Sequence, residues 1–259
     1  MSPARWRLIT TPAATGAENM ALDEALMSRA RTTGEWVLRV YAWRTPTISL
    51  GRNQSARGRY DLDRIASRGL AIVRRPTGGR AILHDREITY SVTAPVDDAG
   101  DLTESYRRIN RLLVAALATM GIEASMAAPH EREITPGMVP CFDQPSAGEI
   151  VLQGRKLAGS AQWRSEGALL QHGSILIEDD QSALAELTVG DARQIPAPAT
   201  LADALGRIPP LSEVASALVE AVRSLEDRDA TELVVDDALR AEADALVVRY
   251  VDDAWTWRR

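Results

Sequence analysis

A single cysteine, Cys141, occurs in 259 residues, which excludes an intramolecular disulfide and a multi-thiolate zinc site. A chain without disulfides suits a reducing setting, and the cytoplasm is the expected location. Histidine is also sparse. His84, His130 and His172 lie far apart, and there is no H-x-x-x-H or C-x-x-C pairing, so no metal or other cofactor is expected. No run approaches the roughly 20 apolar residues that cross a bilayer. The opening M-S-P-A-R-W-R has no apolar stretch of signal-peptide type, so no membrane association is expected. The net charge is −6, which argues against nucleic acid as the main partner. Lysine is almost absent: Lys156 is the only one, and the other 29 basic residues are arginine.

What is present is more pointed. Where only a solvated positive charge is needed, this chain uses Arg. A position that keeps Lys therefore suggests a need for a compact ammonium whose pKa its surroundings can move. Cys141 lies 15 residues before Lys156 in a stretch rich in Gly, Ser and Gln. A nearby cation promotes the thiolate, so the pair reads as a site of covalent catalysis. The competing reading, a buried apolar Cys and a surface Lys, is equally open on composition alone. Eight arginines between Arg52 and Arg80 (Arg52, Arg57, Arg59, Arg64, Arg68, Arg74, Arg75 and Arg80) are either a solvated face or a surface for an acidic partner or anionic substrate.

The length fits one domain, 1–259, with residues from about 200 onward forming a helical C-terminal cap; a monomer is the default expectation. Hydrophobic patterning predicts strands at 6–11, 36–43, 47–50, 70–74, 80–84, 87–94, 122–127, 149–153, 156–163 and 168–177. Helices are expected at 16–31, 61–68, 103–120, 211–225 and 235–250. The fold class is α/β (α+β), with mixed, mostly antiparallel sheets flanked by helices. The proline- and glycine-punctuated stretch 128–148, which carries Cys141, reads as a long loop of functional type.

Two motifs stand out. In R-R-P-T-G-G-R-A-I-L-H-D, from Arg74, Gly78-Gly79 joins two strands, and Arg75, Arg80 and His84 flank it. Paired glycines make a hairpin turn or let a ligand approach the backbone closely. The second motif runs from Pro140 through C-F-D-Q-P-S, G-R-K-L-A-G-S-A-Q and L-L-Q-H-G-S-I-L. It sets small residues, Gly159, Ser160 and Ala161, just past Lys156. Gln162, Gln171 and His172 are polar residues in strand-like runs, either core groups with backbone partners or site residues. His172 could also serve Cys141 as a base.

These strings, with N-M-A-L-D-E at Asn19 and G-R-N-Q at Gly51, resemble the biotin/lipoate protein ligase and octanoyltransferase superfamily, over residues 6 to 180. The resemblance implies the biotin/lipoate ligase catalytic-domain fold. Three features favour the cysteine-dependent, LipM-type octanoyltransferases over ATP-using lipoate ligases. Arg80 stands where the ligases carry a third glycine, Cys141 is present, and the ligases' appended C-terminal domain has no clear counterpart. An octanoyl amidotransferase acting between lipoyl domains and an ATP-dependent lipoate ligase are the alternatives. The resemblance implies octanoyl-acyl carrier protein as donor, a lipoyl-domain lysine, with glycine cleavage protein H foremost, as acceptor, and no ATP. Cys141 and Lys156 are then the catalytic residues. Arg75, Gly78, Gly79, Arg80, His84, Gly159, Ser160, Ala161 and His172 are expected to bind substrate, with Gly78, Gly79, Gly159 and Ala161 flooring a slot for the acyl chain.

Overall fold

The structure is a computed structural model and describes residues 4–96, 102–128, 147–190 and 196–259. Elements run in the order β1 (Trp6–Thr10), α1 (Gly16–Thr33), β2 (Trp36–Tyr41), β3 (Thr47–Leu50), α2 (Leu62–Ser67), β4 (Ala71–Arg74), β5 (Ile82–His84), β6 (Glu87–Pro95) and α3 (Leu102–Thr119). They continue with β7 (Ser125–Met126), β8 (Ile150–Leu152), β9 (Arg155–Ser165), β10 (Ala168–Leu176), α4 (Ala183–Glu186), α5 (Leu201–Leu205), α6 (Leu211–Leu225), β11 (Thr231–Glu232), α7 (Asp237–Val251) and α8 (Asp253–Thr256).

The larger sheet has the order β11-β1-β2-β6-β10-β9-β8-β7, and a smaller one has the order β4-β3-β5. Antiparallel pairing dominates; only β11–β1, β1–β2 and β3–β4 are parallel among the described strands. The fold is thus the expected mixed α/β class.

Side chains alternate along a strand, so register decides which face each one joins. Arg39, Ser91, His172 and Ala161 stand abreast across β2, β6, β10 and β9. One position along, Leu38, Val92, Gln171 and Gln162 form the adjacent row on the opposite face. Helix α1 covers the first face, and α7 packs on α1. Helices α3 and α6 cover the second, where Leu38, Val92, Ile109, Leu112, Leu218 and Val222 share the main core. Burying each such side chain contributes about 1.5–3 kcal/mol.

Helix α1 begins in a capping box: Thr15 accepts from the Glu18 N–H, and the Glu18 carboxylate accepts from the Thr15 N–H at 2.8 Å. It buries Asn19 and Asp23 alongside Met20, Ala25 and Leu26, while Leu22 is only half-buried. The strand expected at 122–127 shortens to β7, and the one at 36–43 ends at Tyr41. Helices α4, α5 and α8 and strand β11 are too short for periodicity to reveal. Tertiary contacts hold them. After α8 the chain straps onto the small sheet: Arg74 Nε donates to the Thr256 carbonyl at 2.7 Å, and the Ala56 N–H donates to the Arg259 carbonyl at 3.1 Å.

Candidate active site

Between β4 and β5, residues 75–81 form the glycine loop, and Arg75 is its internal frame. Its buried guanidinium donates to the carbonyls of Gly78 (2.8 Å), Arg80 (2.7 Å) and Ser49 (2.9 Å). Gly51, at the end of β3, lies so close beneath the loop that a Cβ there would sit 1.9 Å from the Gly79 carbonyl oxygen. The Arg52 N–H donates to the Thr77 carbonyl at 2.7 Å. A Cβ on Gly79 would lie 3.9 Å from that of Ala161, so the loop rests over β9, and Gly78 faces open space.

Under the loop lies a buried polar chain. His172 Nε2 is 2.6 Å from Thr77 Oγ1, and its Nδ1 is 3.1 Å from Asp23 Oδ2. Asp23 also accepts from Arg39 (2.7 Å), Tyr41 (2.8 Å) and Ser91 (2.7 Å). Arg39 in turn donates to the Asn19 side-chain oxygen at 2.7 Å. Burial pushes the Asp23 carboxyl upward, but Arg39, His172 and Ser91 outweigh it and hold the pKa below the usual value. His84 continues the polar layer, with Nε2 2.8 Å from Ser49 Oγ and Nδ1 3.2 Å from Glu87 Oε1. Its ring stacks on Trp43 at 3.9 Å. Burial lowers its pKa, more than Glu87 raises it, which favours the neutral imidazole.

Arg75, His84 and His172 were expected to touch substrate. In the structure their hydrogen bonds shape the loop and its foundation. Arg74 is likewise buried, so the eight-arginine segment is no single surface; Arg68 pairs with Glu186.

The other face of β9 carries Lys156, Ser160 and Gln162. The Lys156 ammonium lies 2.7 Å from Glu149 Oε1, and both side chains are buried. Ser160 Oγ is 2.7 Å from the Tyr90 hydroxyl, which also accepts from Gln171 at 2.7 Å. Gln171 donates to Asn110 of α3 as well, at 2.8 Å, and Asn110 donates to the Gly148 carbonyl at 2.7 Å. Burial pushes Tyr90 up to about 12, so it remains a neutral hydroxyl. Gly173 makes room for this cluster, since a Cβ there would meet the Gly159 carbonyl at 2.5 Å and the Tyr90 ring at 2.8 Å.

Cys141 and His130 lie outside the described residues. The two ends of the intervening segment are clasped together: the Gly148 N–H donates to the Ala127 carbonyl and the Ala127 N–H to the Glu149 carbonyl, both at 2.8 Å. Glu149, the partner of Lys156, therefore stands where the chain returns from that segment.

The predicted site residues thus divide by strand alternation. Gly159 and Ala161 share the side of the glycine loop, and Lys156 and Ser160 share the side of Tyr90. Arg39, Tyr90, Asn110 and Glu149 carry no mark in the sequence, and Asn19 and Asp23 stand in the N-M-A-L-D-E string without an expected role in the site. For Asn19 and Asp23 a signal existed: an i, i+4 polar pair within an otherwise apolar helical stripe.

A mixed sheet crossed by a glycine loop, with one buried lysine on an inner strand, defines a lipoyl-ligase-like catalytic domain. The chain belongs to the lipoyl protein ligase A/B catalytic domain family, which it matches over residues 15–223. It is 39% identical to octanoyltransferase LipM of Kyrpidia tusciae over 98% of this chain and 99% of that protein. It is 38% identical to octanoyltransferase LipM of Symbiobacterium thermophilum over 98% of each. Its fold resembles lipoate-protein ligase A bound with ATP, at a TM-score of 0.78, 25% identity and 98% coverage of each chain. A bi-partite lipoate protein ligase from Thermoplasma acidophilum gives 0.78 at 24% identity, covering 99% of this chain and 97% of that one.

Proposed function

We propose that this chain is an octanoyltransferase of lipoate biosynthesis that takes the octanoyl group from octanoyl-acyl carrier protein and passes it, through a thioester on Cys141, to a lipoyl-domain lysine. Glycine cleavage protein H is the expected acceptor. The Cys141 thiolate attacks the donor's thioester carbonyl. The carbon–sulfur bond to the carrier breaks, and the carrier leaves as a thiolate. The acceptor's neutral amine then attacks the new thioester, an amide forms, the Cys141 thiolate is released, and the proton lost by the amine balances the one taken up by the carrier thiolate. Thioester exchange is nearly isoenergetic and amide formation is downhill, so ATP is not needed.

The observation that carries this reading is the placement of Lys156. The chain's one lysine is buried on β9, held by Glu149 at the root of the segment bearing Cys141. At about 4 Å and an effective dielectric near 20, an ammonium stabilises a thiolate by roughly 4 kcal/mol before desolvation. With a carboxylate 2.7 Å away the pair is nearly neutral at a distance, so Lys156 has to act at short range on the thiolate or the thioester oxygen.

Incubation with octanoyl-carrier protein, without ATP, is expected to add one octanoyl group to Cys141, read by mass spectrometry. The Cys141→Ser variant should form no thioester and lose transfer. Transfer that survives this substitution and requires ATP would instead identify a ligase.

A further inference from the structure

Beside the glycine loop, an open, shallow pocket of ≈580 Å³ lies between the turn after β3 and the last residues of the chain. Arg52, Asn53, Arg258 and Arg259 line it. Among the described residues, no carboxylate lies within 4.0 Å of any of these three guanidinium groups. Two of them are held in place by flat aromatic faces: Arg52 lies over Trp163 at 4.6 Å, and Arg258 over Trp255 at 4.0 Å. Arg258 also donates to the Arg52 carbonyl at 2.6 Å, while its Nε is buried without a hydrogen-bond acceptor. The crowding has an electrostatic cost. Burial, followed by Arg52, Arg259 and Arg249, holds Arg258 below the usual guanidinium range. Burial, followed by Arg258, Arg259 and Arg75, brings Arg74 down to about 10. A bound anion would relieve this repulsion. Guanidinium groups suit phosphate oxygens because their N–H donors form a planar fork.

The pocket's position narrows the choice of anion. Arg52 follows Gly51, which touches Gly79 of the loop, and Trp163 is two residues from Ala161 on the same side of β9. An anion bound here would therefore be part of a molecule whose other end enters beside the glycine loop. We propose that this pocket binds the phosphodiester that joins the donor's thiol-ended arm to its carrier protein. This assignment rests on the carrier-thioester reading of the donor.

The test separates the two. Calorimetric titration compares phosphopantetheine with pantetheine on the full chain, for the wild type and for Arg258→Ala and Arg259→Ala. Arg259 makes no side-chain hydrogen bond or ion pair among the described residues, so its substitution by alanine breaks no such contact. The wild type is expected to prefer the phosphorylated arm by about ten-fold or more. Each variant should lose most of that preference while binding pantetheine as before. Equal affinity of the wild type for the two arms, or a preference that survives both substitutions, overturns the proposal. Octanoyl transfer from octanoyl-carrier protein is then measured without ATP. A phosphate preference in binding with no transfer from the carrier protein leaves the anion pocket standing and refutes the donor reading. Transfer from the carrier protein without a binding preference refutes the pocket alone.

Discussion

Lys156 and Glu149 show how one residue's chemistry depends on another. The rarity of lysine marks Lys156 in the sequence, but nothing there marks Glu149. The two meet across the β8–β9 hairpin at an irregularity in its register, where Val151 pairs with Lys156 and Ile150 with Ala158. A buried ion pair broken at one end leaves an uncompensated charge and costs about 3–5 kcal/mol. Replacement by arginine keeps the charge but puts a longer, planar group into a buried space that holds a compact ammonium. Lys156→Arg is therefore expected to lower the rate of Cys141 acylation by about 100-fold or more, a loss of roughly 3 kcal/mol of transition-state stabilisation. Single-turnover kinetics checks this, and full activity in the variant would remove Lys156 from the mechanism.

Among the elements, the glycine loop depends on β3 as much as on its own glycines. Its Gly-Gly pair is plain in the sequence, and Gly79 has the positive φ of 91° that such a turn allows. What could not be read is that Gly51, 28 residues earlier, is the floor on which the loop sits. Gly51→Ala places a methyl carbon against a backbone carbonyl with no flexible side chain to yield. Either the loop lifts from β9 or β3 shifts. The expected cost is about 1–3 kcal/mol in urea unfolding, with a larger proportional loss of transfer activity because Thr77 and Gly79 move with the loop. Unchanged stability and activity would mean the loop is not seated as described. Helix α1 teaches the same lesson. Its start is legible from the Thr15–Glu18 capping box, but periodicity alone expects an apolar inner face, and the structure buries Asn19 and Asp23 there to meet Arg39 and His172.

For the whole molecule, stability depends on pH through a carboxyl outside the glycine loop. Asp180 follows β10 and accepts from the Arg86 N–H (2.9 Å) and from Gln181 (2.6 Å), tying the β5–β6 turn to the end of β10. Burial pushes its carboxyl up to about 6, against those two hydrogen bonds and with Glu87 and Asp85 adding to the rise. The folded pKa lies above the ordinary 3.8, so the folded chain holds this proton more tightly than the unfolded chain. The stability it contributes is complete below about pH 4 and is lost as pH rises through about 6, a change on the order of 2 kcal/mol. Urea unfolding at pH 4 and pH 7 should show Asp180→Asn gaining stability relative to wild type at the higher pH. A difference that does not change with pH would refute the assignment.

Local rules carried much of this fold. Alternation and helical spacing located the principal strands and helices to within a few residues, and composition supplied one thiol, one amine and a glycine turn as the chemical inventory. Those signals are short-range, arising from neighbours a few positions apart. The tertiary structure alone decided which face of the sheet each residue serves. It set Gly159 and Ala161 toward the loop and Lys156 and Ser160 away from it, and it joined Asp23 to His172 across 149 positions. Such pairings follow from strand register and helix packing, and a one-residue slip in register would send every side chain of a strand to the other face.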